Sequence, residues 1–498
     1  MTESSIISLS QTSPNVSVQE TDISIPLVTP TRNIAMYVGE FEKGPINEPV
    51  LIGSALQFKQ IFGRALDWNF NDWYQVYNYL LYSAPIWVCR TAGQERTKAF
   101  NNGNIANSPG EWGNLLTVAI LNTEDYYNNI EVNLINENIQ KIISEDKLDG
   151  EYLVLVFRKQ QLVEFFSVNY ALEIDSSYLE TFNLERGEYS LNSGFTERAT
   201  IFELRESSFL FQKEDYDIDI IIGNEMDNSV AIDLAEYRKD CIAFVGIPSV
   251  LLLYLLVNTE ILTTEDGYII IMGLSEIKQM NERNKQKILE YVQGLNKSQY
   301  CFFVLGIKQI TDNFDNKKKL VNIAGDIAGL KASASLVNPW KVGLGSDYKI
   351  KNYEETRYYY NIDDKDLFYQ NGVNALEKDI ILSEKMFIDA PEEYGLLSTR
   401  NTLNNIERAC EKAIRKHVFE ENTKYTRSRI AGELKLILDD VLLSGGIEAG
   451  KVHVTKDPGN EEKIIINIYI KFKYLIHYVN VRVQNAGTNI IKDLRISS

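Results

Sequence analysis

Residues Ser398 to Glu420 read S-T-R-N-T-L-N-N-I-E-R-A-C-E-K-A-I-R-K-H-V-F-E, and the spacing within them decides how the C-terminal part of the chain folds. Leu403, Ile406, Cys410, Ala413 and His417 recur at three and four residues and fall on one helical stripe. Arg408, Lys412 and Arg415, with Lys416 beside them, fall on another. A second helix is expected from Thr426 to Leu443, stopped by Gly445-Gly446. Lys463 to Phe472 (K-I-I-I-N-I-Y-I-K-F) and Tyr474 to Val483 then read as strands, because β-branched and aromatic residues dominate both. A helix pair feeding a terminal hairpin predicts a module that presents a sheet edge.

Working outward, a chain of 498 residues exceeds one ordinary core, so several domains are expected. The apolar fraction, 44%, suffices to bury them. A net charge of −18 argues against a nucleic-acid binder that works by neutralising phosphates, and against an anionic membrane surface. Cys89, Cys241, Cys301 and Cys410 are widely spaced in apolar runs and read as buried free thiols of a reducing compartment. No secretory signal precedes them, and the most apolar run, Val250 to Val257, is far shorter than the ~20 residues a bilayer requires. The expectation is a soluble, cytoplasmically made protein.

From the N-terminus, residues 1–30 are polar and punctuated by Pro14, Pro26 and Pro30, and cannot bury themselves. Within them Val16 to Ile25 alternates like a strand that must find its partner elsewhere. Residues 31–104 follow α/β logic: strand Asn33–Phe41, a turn-rich K-G-P-I-N-E-P loop, a helix from the N-cap Ser54 to Gly63, an aromatic helix stopped by Pro85, and strand Ile86–Arg90. Residues 105–210 carry short strands with little helical periodicity and read as a mostly β insertion. The α/β pattern resumes over 211–345, with strands Asp217–Ile222, Cys241–Gly246, Tyr268–Met272 and Tyr300–Leu305. These are near-continuous apolar runs, as strands covered on both faces should be. The small residues of a helix at Leu320–Leu330 predict close packing rather than ligand binding. Residues 346–480 form the C-terminal domain and 481–498 a trailing arm. The fold class expected is therefore multidomain α/β and α+β.

Catalytic signatures are missing from this sequence. Its three histidines, His417, His453 and His477, lie near the C-terminus, with no H-E-x-x-H, C-x-x-C or G-x-S-x-G pattern. Gly39 and Gly44 are not followed by the Gly-Lys-Ser/Thr of a phosphate loop. Cys410 and His417 share a helix face, but about two turns, ~10.5 Å, separate them, too far for direct proton transfer. No catalytic, cofactor or metal residue is assigned.

The order of these stretches resembles the contractile tail sheath proteins of myophages and related injection systems. The resemblance rests on V-S-V-Q-E-T-D, N-I-A-M-Y-V-G-E-F-E-K-G-P-I-N-E-P-V, F-K-Q-I-F-G and I-W-V-C-R between Val16 and Arg90. S-P-G-E-W-G-N (Ser108–Asn114), Asp326-Ile327-Ala328-Gly329, Asn338-Pro339-Trp340 and S-T-R-N-T-L (Ser398–Leu403) extend it. L-N-N-I-E-R-A-C-E-K-A lacks the Arg-Arg pair many members carry there. The resemblance implies a structural subunit, not an enzyme, that polymerises into a helical cylinder around an inner tail tube. Baseplate and tail terminator proteins are further implied partners, and the virion tail the implied location. Contraction would drive the tube through the host envelope for genome delivery. It also implies that an arm strand (Val16, Val18, Glu20, Asp22, Ile23) joins a neighbour's terminal hairpin (Lys463, Ile465, Lys471, Lys473, Arg482). The basic helix face Arg408, Lys412, Arg415 and Lys416 would meet the tube. The arm is acidic, the terminal segment basic, and that opposition would steer register. Solvated charges on unrelated surfaces remain the bland alternative. The sheath of a phage-derived injection particle, and a cytosolic α/β enzyme with an accessory β domain, also remain open at this point.

Overall fold

The computed structural model describes residues 33–473, except 83, 125–138, 140–141, 144–147, 171–175, 213–214, 250, 252–259, 264–268, 273–281, 354–361 and 389–394. Its centre is a sheet in the order Val50–Ile52, Ile86–Arg90, Ala35–Gly39, Ile220–Ile222, Ile242–Gly246, Cys301–Leu305, Val373–Glu377, Ile380–Ile381. The six inner strands are parallel, with Ala35 opposite Ile86 on one side and Ile220 on the other; the two outermost are antiparallel. Ala35–Gly39, Ile220–Ile222, Ile242–Gly246 and Cys301–Leu305 are buried at every residue, which is why they read as unbroken apolar runs rather than alternating ones.

Helices cover both faces. Ala55–Phe62, Phe70–Leu80 and Ala324–Val337 close one, where Phe58, Trp73, Tyr79 and Ile327 are buried together. Ile201–Phe209, Asn228–Arg238, Glu282–Gln293 and Ile362–Gln370 close the other around Leu204, Ile232, Ile288 and Phe368. The Ser54 hydroxyl accepts from the Gln57 amide at 3.2 Å, and Gly63 ends that helix at φ +81°, as the sequence predicts. Ala324–Val337 uses its glycines for close approach: the Gly325 amide donates to Gln75 Oε1 at 2.6 Å, and a Cβ at Gly329 would lie 3.2 Å from the Tyr79 carbonyl.

Between Arg90 and Ile201 the chain leaves the core to build a β domain. Gly187–Ser190, Leu116–Asn122, Tyr152–Arg158 and Gln161–Val168 form an antiparallel sheet packed on both sides. Arg90 ties this domain back: its buried guanidinium donates to the Gly44 and Pro109 carbonyls at 3.0 and 3.1 Å.

Several sequence-derived assignments move. The strands of the β domain begin at Arg96, inside the stretch 31–104 expected to belong to the α/β domain, and end at Thr196, while Ile201–Phe209 packs on the α/β core. Ile269–Met272 pairs antiparallel with Glu260–Thr263 in a separate hairpin instead of entering the central sheet. Ile307–Thr311 and Lys318–Asn322 form another hairpin, unforeseen from sequence, and it delays the following helix to Ala324. Val373–Glu377, assigned to the C-terminal domain, is a central-sheet strand. Its buried Asn374 amide donates to the Phe303 and Lys385 carbonyls at 3.0 and 2.8 Å. Short strands reveal their type by pattern but not their neighbour, because docking depends on partners remote in sequence.

Helices Leu397–Arg415 and Lys424–Leu443 form the expected C-terminal pair, the second ending at Gly445 with φ +86°. The hairpin against them differs from expectation: Ile464–Phe472 pairs with Ile447–Lys456, Val452 facing Ile468. Ile447–Lys456 carries little strand signal in sequence, because its Gly450, Lys451 and His453 dilute the apolar pattern. Tyr474–Val483 lies outside the described residues, as do the arm residues Val16, Val18, Glu20, Asp22 and Ile23, and Arg482.

Candidate functional site

The hairpin's strand period sorts its side chains. Ile464, Ile466, Ile468, Ile470 and Phe472 pack with Val452 and Val454 against Ile430, Leu434, Ile437, Leu438 and Val441 of the helix beneath. Ile465, Asn467, Tyr469 and Lys471 face outward opposite Thr455, His453, Lys451 and Ala449. Tyr469 is 60% exposed. A two-stranded ribbon is marginal alone, and the helix supplies what it lacks on one face. Among the described residues, neither strand has a second strand neighbour, so backbone donors and acceptors line both edges. That arrangement can accept a further strand.

The charges divide unevenly. Lys471 pairs with Glu448 at 2.7 Å and Lys463 with Asp457 at 3.4 Å, so both are partly neutralised within the module. Lys473 and Lys451 are exposed with no ion-pair partner among the described residues. Ile465 is half-buried opposite Thr455.

The basic helix face is dispersed by its surroundings. Arg408 is no outward-facing group: its guanidinium pairs with the buried Asp219 carboxylate and donates to the Ile218 carbonyl at 2.6 Å. Burial pushes Arg408 down to about 10, with the charges of Asp217 and Glu411 opposing. Lys412, Arg415 and Lys416 stay exposed. Arg415 pairs with Glu411 at 2.8 Å and Lys416 with Glu433 at 3.0 Å, and Lys412 has no partner among the described residues. Helical spacing had grouped the four; the packed α/β domain separates the first from the rest.

His417 is a satisfied buried histidine, its Nδ1 3.1 Å from Glu420 and its Nε2 2.9 Å from Glu433. Burial pushes the Cys410 thiol up to about 12, so it is no nucleophile at neutral pH. Among the described residues, no group of three or more histidines, cysteines or carboxylates is placed to hold a metal, and no helix is long and apolar enough to cross a membrane.

Sequence reasoning missed the point where the N-terminal segment enters. Asn33 is fully buried at φ +49°. Tyr79 Oη donates to its carbonyl at 2.7 Å and Lys331 Nζ to its Oδ1 at 3.0 Å. The Ile34 amide donates to Asp219 Oδ2 at 3.2 Å, so the carboxylate that holds Arg408 also holds this entry point. The one local signal was Asp219 itself, an acid inside the apolar run D-I-D-I-I-I, which demands a buried partner.

Comparison with known proteins agrees with the resemblance read from the sequence. No protein-family model matches the chain. The tail sheath protein of Vibrio phage KVP40 is 23% identical over 272 residues, 52% of this chain but only 39% of that relative's length. A crystal structure of a sheath tail protein from Listeria innocua superimposes with a TM-score of 0.56 at 14% identity, covering 88% of this chain and 91% of that one. One from Desulfitobacterium hafniense gives 0.57 at 10% identity, covering 92% and 100%. The helical sheath of the anti-feeding prophage in its contracted state gives 0.52 at 10%, covering 95% and 99%. The chain therefore has the sheath tail protein fold along nearly its whole length.

Proposed function

We propose that this chain is the structural subunit of a contractile tail sheath. It polymerises into a helical cylinder around an inner tube on a baseplate, and its contraction drives the tube through a host envelope for genome delivery. The observation that carries the reading is a sheath fold whose C-terminal hairpin, backed by a helix, has no further strand at either edge among the described residues. A neighbour's arm, Val16 to Ile25, adds a strand to that hairpin; main-chain hydrogen bonds give the affinity and Lys451 and Lys473 favour an acidic strand. Lys412, with Arg415 and Lys416, is what remains of the helix face for an acidic tube surface. Individually such contacts contribute ~0–1 kcal/mol, so they hold by repetition and release one by one. The chain is no enzyme on this reading, and the energy of contraction resides in packing between two assembled states. Electron microscopy of the purified chain tests it. Hollow striated cylinders that vanish on deleting residues 1–25 are expected; compact particles that persist with tube protein present would refute it.

A further inference from the structure

The C-terminal module carries a projection at one end and a matching groove at the other. At the turn between its helices, Phe419 is fully exposed at φ +73°, with Val418 exposed beside it. The left-handed region is unfavourable for a bulky aromatic residue, and burial within this chain does not compensate it. Glu421 follows closely, exposed and with no ion-pair partner among the described residues, whereas Glu420 is already engaged by Arg429 and His417. About 30 Å away along the helix Lys424–Leu443, a cavity of about 240 Å³ opens between the α/β domain and the root of the hairpin. Trp340, Leu344, Tyr348 and Phe472 line it, and Lys341 and Lys473 stand in its wall. A cavity of about 150 Å³ accommodates a benzene ring, so this one has room for a phenyl side chain.

We propose that Phe419 of one copy of this chain seats in the Trp340–Phe472 groove of a neighbouring copy, with Glu421 against Lys341 and Lys473. Three observations select this occupant. The charges are complementary, Glu421 beside the projection and Lys341 and Lys473 around the groove. The size is right for an aromatic ring. The two features lie at opposite ends of a rigid helix, so one chain cannot satisfy its own. A contact between different patches is heterologous and propagates into an open helix rather than closing a dimer. The proposal rests on the polymer reading above and adds to it a contact made by the folded module rather than by an arm.

The test joins the two ends covalently in the full chain. The cysteines Cys89, Cys241, Cys301 and Cys410 are all buried, so introduced thiols react selectively. A chain carrying both Glu421→Cys and Lys341→Cys keeps Phe419 in place. Treated with a short bis-maleimide at high concentration, it should give a ladder extending well beyond dimers, whereas either single variant should not. Adding Phe419→Ser should reduce the ladder at least tenfold without lowering the melting temperature, because that side chain is fully exposed among the described residues. Cylinders seen by electron microscopy in a sample without a ladder overturn this contact and leave the polymer reading standing. A ladder unaffected by Phe419→Ser, or products that stop at dimers, also overturns it. Compact particles with neither cylinders nor ladder, persisting with tube protein present, overturn both readings.

Discussion

Replacing Arg408 by methionine should undock the helix Leu397–Arg415 from the central sheet at a cost of about 2–4 kcal/mol. Methionine keeps most of the apolar stem and removes the guanidinium. What remains is Asp219, whose side chain is 6% exposed, retaining the Ile34 amide at 3.2 Å but no cation. The Ile218 carbonyl loses its donor at 2.6 Å as well. Removing one partner of a buried pair typically costs about 3–5 kcal/mol; the lower range here reflects an arginine side chain still 20% exposed, which water can partly replace. Asp219→Asn in the same chain removes the stranded charge and should recover about half the loss, a coupling of roughly 2 kcal/mol in a double-mutant cycle. Because a multidomain chain need not unfold in one step, the assay is hydrogen exchange resolved by segment, read at Ile34 and across Leu397–Arg415. Both segments should lose protection together, since one carboxylate holds both. Loss at the helix with Ile34 unchanged, or a cost below about 1 kcal/mol with no coupling, would refute the shared anchor.

Other expectations follow from the same packing. Leu434 is fully buried beneath the hairpin, so Leu434→Ala should destabilise the C-terminal module by about 2–5 kcal/mol in denaturant unfolding followed at that module. Phe419→Asn should raise stability by about 0.5–1 kcal/mol, read as a higher melting temperature, because asparagine tolerates the left-handed backbone; the same variant should assemble less well. Asp72 accepts from Tyr37 Oη at 2.8 Å and from the Glu40 amide at 2.6 Å, yet burial, reinforced by the charges of Glu40 and Glu225, pushes its carboxyl up to about 7. The native state then holds this proton more tightly than the unfolded chain does. Its contribution to stability should fall as pH rises from the ordinary carboxylate range to about 7 and be flat above. Asp72→Asn should flatten that slope in unfolding curves taken between pH 5 and 8.

The legible part of this protein is what local pattern dictates. Ser54 and Gly63 bracket a helix through their own capping chemistry, and Gly445 ends another through its positive φ. The apolar runs of Cys301–Leu305 and Ile242–Gly246 declare strands covered on both faces. The alternation of Ile464–Phe472 reveals a strand with one face on a core. Each signal resides in a handful of consecutive residues, so it survives without knowledge of the partner. The charges fared otherwise. Helical spacing places Arg408 with Lys412 and Arg415, but a carboxylate 189 positions earlier withdraws it into the interior, and no local pattern encodes that meeting. Val373–Glu377 carries no strand signal strong enough to place it beside Cys301–Leu305, and the polar outer residues of Ile447–Lys456 mask its alternation. The sequence by itself determined those elements whose capping, propensity or periodicity is complete within a few residues, and their order along the chain. Only the tertiary structure decided which strands pair, which charges are consumed, and that an exposed Phe419 and an apolar groove stand at opposite ends of one module. Those outcomes depend on burial and on distances between residues far apart in the chain.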